Sequence, residues 1–532
     1  MAGNQEIFPV VIIGGGLAGL TAALHLAERG LTPLVLEADQ LWAGGRLAGG
    51  DPETFEYGGQ TWAFPTEHGM HALWGGYVNM RATLDRFLDI ELVPSPGEMW
   101  INRWGRAVRR VEAGTAVRSR WLPAPFHYLQ LLFRPRFWST ITPLDFLSLP
   151  GFLVSVLLTV GFDPLRERRP LDGLLMSEYF RGWTPNLKAT FVGLGKNLLA
   201  APAEEISLTG FIAALRFFTM LNRETWHPYF LPADANTALI APMIAKLEEL
   251  GGGIFYGATA KSLIRTESGW RIRIEDAKRG PRTAEAEQVI LALDPPAAAD
   301  LLGASPDTAP TASKLRIPRG IHTSTVRLWF TKTPKDAVVS GMFTGDFAFD
   351  NYFWLDQMQT PFRAWHAATG GSTIEMHLYA TSKDNDQPDN LLILQGVNEV
   401  VRAFPELRGA FVHGAVRRNS KTQTIFRVPT DDCLGVRTPF PDVYACGDWI
   451  DWETPSLWME RSCTTAIAAA NQILAARNCE PYPLLDPPPP GVIARGLGQI
   501  VYGGRKVFGV PLRLLRRKRR CEGQRGRGGP RR

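Results

Sequence analysis

A chain of 532 residues exceeds what one ordinary core holds, so two or more domains are expected, and a make-up of 45% hydrophobic and 21% charged residues excludes a disordered or fibrous polymer. The formal charge of +6 is unevenly spread: residues 494–532 hold 13 Lys and Arg against one Glu, which leaves the rest of the chain net acidic. This argues against a body that binds nucleic acid and for a local electrostatic anchor near the C-terminal end.

In chain order, the apolar run Val10–Ile13 reads as a buried parallel strand. It starts so near the first residue that no signal peptide is expected. Leu17, Leu20, Leu24 and Ala27 follow at helical spacing up to a stop at Gly30, and Pro33 to Glu37 forms a second short strand. The block 101–235 is rich in Trp, Phe, Leu and Arg. Within it, Phe146 to Phe162 runs for 17 residues without a charge. That is short of the ~20 residues that span a bilayer, and Pro150-Gly151 interrupts it. A buried helix or tunnel wall, an element dipping into a membrane, and a true span stay open. Upstream, Trp121 to Ile141 sets Arg134 and Arg136 among Phe, Trp and Leu, which suits a lipid headgroup level or a core edge with snorkelling side chains.

Further on, Asn236 to Leu250 is predicted helical, with strands near Gly269–Ile274 and Gln288–Leu293. The alternating runs Ser324–Thr331 and Ser372–Tyr379 read as strands. Asp442 to Ala445 is a strand leading into Gly447-Asp448, and a helix follows from about Leu457 to Ala476. Pro481 to Pro490 is a stiff linker, and the cluster Arg513 to Arg520 reads as a lipid anchor or as a solubilising tail. None of the five cysteines forms a C-x-x-C pair and no His cluster has ligand spacing, so no metal is expected and a reducing compartment fits.

Three motifs carry chemistry. Gly14-x-Gly16-x-x-Gly19 stands between a strand and a helix. Gly14 permits the tight turn, Gly16 lets a pyrophosphate approach the backbone, and Gly19 lets helix and strand pack. Glu37, at the end of the next strand, suits adenosine ribose hydroxyls. With 52 glycines the pattern alone is weak, and its context makes it a dinucleotide site. In the second motif, Gly44-Gly45-Arg46, the glycines let the chain run under a cofactor while the Arg neutralises a phosphate; an exposed loop with a solvated Arg is the alternative. The third is Gly447-Asp448, whose acid suits the ribityl hydroxyls of a flavin or else ends a plain strand turn.

Together these residues resemble the flavin amine oxidase and carotenoid desaturase superfamily. Glu67 to Asn79 (EHGMHALWGGYVN) is similar to the flavin-adjacent motif of plant-type carotene desaturases. Met459-Glu460-Arg461 with Thr464-Thr465 and Ala469-Ala470-Asn471, and the run Thr373 to Ala380, resemble the aromatic-carotenoid (isorenieratene-synthase-type) β-ring desaturase/methyltransferases. Two departures are Trp42, where many amine oxidases carry Arg, and Ala466, where Gly is common.

The resemblance implies an α/β fold. In it, a Rossmann-like (GR2-type) FAD-binding domain is assembled from residues 1–100, 236–312 and 426–480. Residues 101–235 and 313–425 build an inserted α+β substrate domain with a helical membrane-facing element, and 481–532 form the linker and basic tail. It also implies FAD as cofactor, with contacts extending to Leu17, Ala18, Ala38, Gly69, Met70, Ala260, Ala292 and Met459. An apolar carotenoid is the implied substrate, a quinone or else oxygen the electron acceptor, and the cytoplasmic face of a membrane the place of work. Aromatising a β-ionone ring by hydride loss and methyl migration needs a proton acceptor and aromatic faces. His68, His71 and Glu460 are the expected acceptors, or else hydrogen-bonded structural residues, with Glu460 capping or pairing with Arg461. Trp74 and Tyr77 are the expected faces. A phytoene or ζ-carotene desaturase, another isoprenoid flavin oxidase, and a flavin-free escort of prenylated partners are the other readings.

Overall fold

The structure, a computed structural model, describes residues 7–167, 173–335 and 338–508. Its first sheet brings together strands from three distant stretches of chain. The continuous apolar strand Ile7–Ile13 pairs in parallel with Leu34–Leu36 on one side and Gly280–Leu291 on the other. Gly253–Phe255 extends the sheet beyond Leu34–Leu36, and Val443–Ala445 joins in parallel beside Gly280–Leu291. The first half of that long strand also pairs antiparallel with Trp270–Asp276, which pairs in turn with Ala258–Arg265. Strands this apolar are stable only when covered on both faces. The helix Leu17–Glu28, buried along almost its whole length, covers one face and packs against the helix Trp458–Ala476.

Register decides where the motifs meet. Ile13 is level with Leu36 and with Leu291, and Leu291 is level with Ala445. Gly14, Glu37, Ala292 and Gly447 therefore leave the sheet at one edge, the carboxyl ends of parallel strands, where open α/β sheets bind their ligands.

A second sheet runs in the order Phe411–Thr424, Gly320–Phe330, Ser372–Leu378, Asn351–Trp354, Ser340–Gly345, Met99–Trp104 and Ala107–Glu112. Its strands thus come from around the start of the 101–235 block and from residues 320–424. A third sheet joins the three short strands Ala72–Trp74, Pro228–Phe230 and Val93–Pro94; its Leu73 packs into the core of the first sheet and its Phe230 into a cluster with Trp329 of the second. They hold the segment after residue 67 against both bodies.

The predicted helix at 236–250 begins with a wide π turn at Asn236–Ile240 and continues as Ala241–Glu249. Pro150 does not break the apolar stretch: it sits in the first turn of Leu149–Gly161, where its missing N–H has no partner to lose. A 3-10 segment, Pro143–Ser148, precedes it. The segment after Pro481 is docked on the fold: Asn471 and Asn79 each exchange two hydrogen bonds with its backbone, at Tyr482 and Leu485. The helix Val492–Phe508 then lies along Leu149–Gly161, with Arg505 donating to the Gly161 carbonyl at 3.0 Å. The polybasic cluster Arg513 to Arg520 lies outside the described residues.

Candidate functional site

The turn after the first strand is built for close approach. Gly14 takes φ +110°, and a Cβ there would stand 2.4 Å from the Ala292 carbonyl oxygen. At Gly19 a Cβ would stand 2.0 Å from the Gly14 oxygen, so helix and turn meet only because both residues lack side chains. The second glycine motif lies directly beside the first: the Gly44 N–H donates to the Gly15 carbonyl at 2.8 Å. Gly16 and Gly45 leave a floor that side chains there would fill, since a Cβ on either meets nothing closer than 3.7 Å. Glu37 accepts from the N–H groups of Gly15 (3.0 Å) and Asp39 (2.8 Å). Burial raises its carboxyl above the ordinary range despite these bonds.

Arg46 and Asp448, 402 positions apart, form a bidentate pair at 2.7 and 2.8 Å. The fork geometry fixes both groups, and Asp448 is nearly fully buried. Behind it the Gly447 N–H donates to Thr465 at 2.9 Å, which ties the strand end to the helix Trp458–Ala476.

A single cleft of about 450 Å³ runs past all of these groups. Gly14, Gly16, Leu17, Ala18, Glu37, Ala38, Gly44, Gly45, Arg46, Gly69, Met70, Ala260, Ala292, Gly447, Asp448 and Met459 line it, together with His68, His71, Trp74 and Tyr77. Gly19 does not; it serves the turn from behind. The floor of glycines, the buried Glu37 and the Arg46–Asp448 pair suit an adenine-to-flavin ligand laid along the strand ends. Further into the cleft, His68 Nε2 and His71 Nδ1 are buried and have no hydrogen-bond partner among the described residues, which suits a polar ring edge in front of them. Burial pushes the His68 imidazole well below its ordinary value and His71 down to about 4, so both are neutral at physiological pH.

Glu460 stands elsewhere. Its carboxylate accepts from the N–H groups of Asn79 and Met80, at 2.9 Å each, and from the Asn79 amide at 2.8 Å. It thus caps the helix Val78–Phe87 and does not line the cleft. Arg461 turns away to donate to the Ile450 and Thr454 carbonyls.

The cleft also has a wall that the sequence reading assigned no role. His377 and Tyr379 from the strand Ser372–Leu378 and its end, Asn351 and Phe353 from the neighbouring strand, and Thr323 to Thr325 from the other neighbour line it. Glu375, two residues before His377, is fully buried and bound to Arg327 at 2.6 Å. Burial alone would raise its carboxyl, but the Arg327 guanidinium and His377 outweigh that and hold it far below the ordinary range. A signal was present: Glu375, His377 and Tyr379 recur at every second position, separated by the apolar Met376 and Leu378, which points all three to one face.

Residues 17–474 match the family described as flavin containing amine oxidoreductase. The chain is 27% identical over 476 residues to a carotenoid phi-ring synthase of Streptomyces griseus, covering 87% of each chain. It is 23% identical to a carotenoid phi-ring synthase of Chlorobaculum tepidum, covering 91% of each. The fold is similar to that of a cyclohexylamine oxidase from Brevibacterium oxydans (TM-score 0.59, 16% identity, 89% of this chain and 100% of that one).

Proposed function

The chain belongs to the flavin containing amine oxidoreductase family, and from that premise we propose that this FAD-dependent oxidoreductase converts the β-ionone end ring of a carotenoid into an aromatic ring. The observation that carries the reading is the end-to-end likeness to two proteins named carotenoid phi-ring synthase.

In this reading residues 1–100, 236–312 and 426–480 hold FAD, 101–235 and 313–425 form the substrate part, and 481–532 form the linker and tail. Glu37 holds the adenosine ribose, the amides after Gly14 face the pyrophosphate, and Asp448 holds the ribityl chain with Arg46 beside it. Bound FAD supplies a two-electron acceptor for hydride. The polyene has no titratable group, so the protein acts by positioning the ring, excluding water and stabilising positive charge. Trp74 and Tyr77 present aromatic faces for a ring that carries that charge; Trp74 is itself braced by Trp226 at 4.6 Å between ring centroids. A methyl group moves from the gem-dimethyl carbon to its neighbour, and proton loss completes the ring. Two double bonds are gained per ring, so each ring needs two turnovers.

A carotenoid reaches the cleft from a bilayer, and a membrane-facing surface belongs to the proposal. Trp121 (89% exposed), Phe133 (80%), Leu147 (70%) and Leu153 (56%) stand out beside further exposed apolar residues between 126 and 154. Pro143–Gly161 has a mean hydropathy of 1.8, and a third of it is buried. Such a face suits shallow insertion from the cytoplasmic side, with a membrane quinone as electron acceptor.

The test is expression in cells that make β-carotene, with pigment analysis. Aromatic-ring carotenoid is the expected product. Consumption of phytoene in place of β-carotene in a parallel strain would reassign the substrate, and purified protein without flavin absorbance near ~450 nm would favour an escort.

A further inference from the structure

Ring aromatisation releases protons inside the cleft, and the groups expected to take them are poorly placed. Glu460 is engaged by three donors behind the helix Val78–Phe87. Burial keeps His68 and His71 neutral, and among the described residues neither has a carboxylate bonded to it that would hold a proton.

The opposite wall differs. Glu375 receives the Met70 N–H on Oε1 at 2.6 Å and the Arg327 Nε–H on Oε2 at 2.6 Å. It is therefore an acceptor only, and His377 Nε2, 2.8 Å from Oε1, must carry the hydrogen it donates there. That fixes the tautomer. His377 Nδ1 is left with a lone pair, and the Tyr379 hydroxyl 2.8 Å away donates to it. Gly69 brings the opposite edge of the cleft close: a Cβ there would lie 3.0 Å from His377 Nε2. Tyr379 is fixed in turn by its backbone N–H, which donates to Asp350 at 2.7 Å; Asp350 is ion-paired with Lys196. Beside it, the Asn351 Oδ1 is buried without a partner among the described residues, an oxygen that favours positive charge in front of it.

We propose that Tyr379 and His377 form the proton-accepting pair of the ring-forming reaction. The inference rests on the function proposed above. Once the ring has lost hydride and the methyl group has moved, the C–H bond of the carbon that received the methyl group breaks. Its electron pair becomes the last ring double bond. The proton goes to Tyr379 Oη while the Tyr379 hydrogen passes to His377 Nδ1. The resulting imidazolium lies against Glu375, whose charge Arg327 holds in place. The tyrosine is never an anion, so the burial that raises its phenol does not oppose the step.

The decisive variant is His377→Gln in the full chain. Glutamine keeps an amide N–H for Glu375 and an oxygen for Tyr379, but it takes no proton. Wild type, His377→Gln and Tyr379→Phe are expressed beside β-carotene, and flavin content and aromatic product are measured for each. Both variants are expected to bind FAD at the wild-type level and to yield ~100-fold less aromatic carotenoid, the lower side of what a positioned acid or base contributes. Wild-type product from either flavin-loaded variant overturns the inference and leaves the function standing. If His377→Gln loses its flavin, Tyr379→Phe decides, because it removes a single hydroxyl. No aromatic product from the wild type overturns the function, and the inference with it.

Discussion

The two sheets contribute to the cleft in different ways. The first grips with backbone and a few fixed groups: glycines at 14, 16, 44 and 45, one guanidinium and two carboxylates. The second presents a wall of side chains, with His377, Tyr379, Asn351 and Phe353 facing the cleft and a buried Glu375–Arg327 pair behind them. A ligand that lies on backbone demands residues without Cβ, and that demand writes a short motif into the sequence. A wall of side chains tolerates many solutions and writes at most an alternation of polar and apolar residues, as at Glu375, His377 and Tyr379.

The largest expected effect breaks the first sheet. Gly19→Val puts a branched side chain where a Cβ would already stand 2.0 Å from the Gly14 oxygen and 3.2 Å from the Ala292 Cβ. Helix and turn cannot both keep their places, so no flavin-containing protein should be recovered. Visible absorbance of the purified protein checks this, and a yellow, fully loaded variant would refute the role given to the turn. The change leaves the second sheet untouched, so its expected consequence is confined to the cofactor side.

A smaller effect is expected outside both sheets, on the helical part of the 101–235 block. Leu147→Glu with Leu153→Glu replaces two exposed apolar side chains of the Pro143–Gly161 segment. Because both point outward, flavin content should stay at the wild-type level while binding to liposomes falls several-fold, as read by co-sedimentation. Unchanged sedimentation would remove that face from the membrane proposal and leave the cleft as described.

The smallest effect concerns two buried histidines, one on the helix that covers the first sheet and one in the 101–235 block. His25 lies in the helix Leu17–Glu28 and His127 in the segment Phe126–Phe133; burial pushes both from 6.5 down to about 4. The unfolded chain takes up protons there near pH 6.5, and the folded chain refuses them until about pH 4. Their contribution to stability is therefore complete above pH 6.5 and is lost as the pH falls towards 4, by about 2 kcal/mol per histidine at pH 5. The melting temperature should drop between pH 7 and pH 5. His127→Leu should lessen the drop, since neither ring nitrogen of His127 has a partner among the described residues. A melting temperature equal at both pH values would contradict the burial argument.

Most of the cofactor side was legible. The strand at 10–13, the helix after it and the strand–helix pair around Gly447 stand where periodicity puts them, and Arg46 meets Asp448 across 402 residues. Other features were not legible. Capping was among the roles expected of Glu460, but not the helix it caps, Val78–Phe87, whose N-terminal amides lie 380 residues away. Pro150 looked like a break because its effect depends on whether it falls inside a helix or at the start of one. The docked stretch after Pro481 read only as a stiff linker because its partners, Asn79 and Asn471, lie outside it.

The sequence by itself determined the strands, the glycine turns and the chemical kind of ligand they hold, because those depend on residues adjacent in the chain and on the sterics of a missing side chain. Only the tertiary structure decided which acids face the cleft, which are capped away, and that Glu375, His377 and Tyr379 form a connected set. Hydrogen bonds and burial are set by neighbours in space, and for a buried carboxylate or imidazole those neighbours determine its charge.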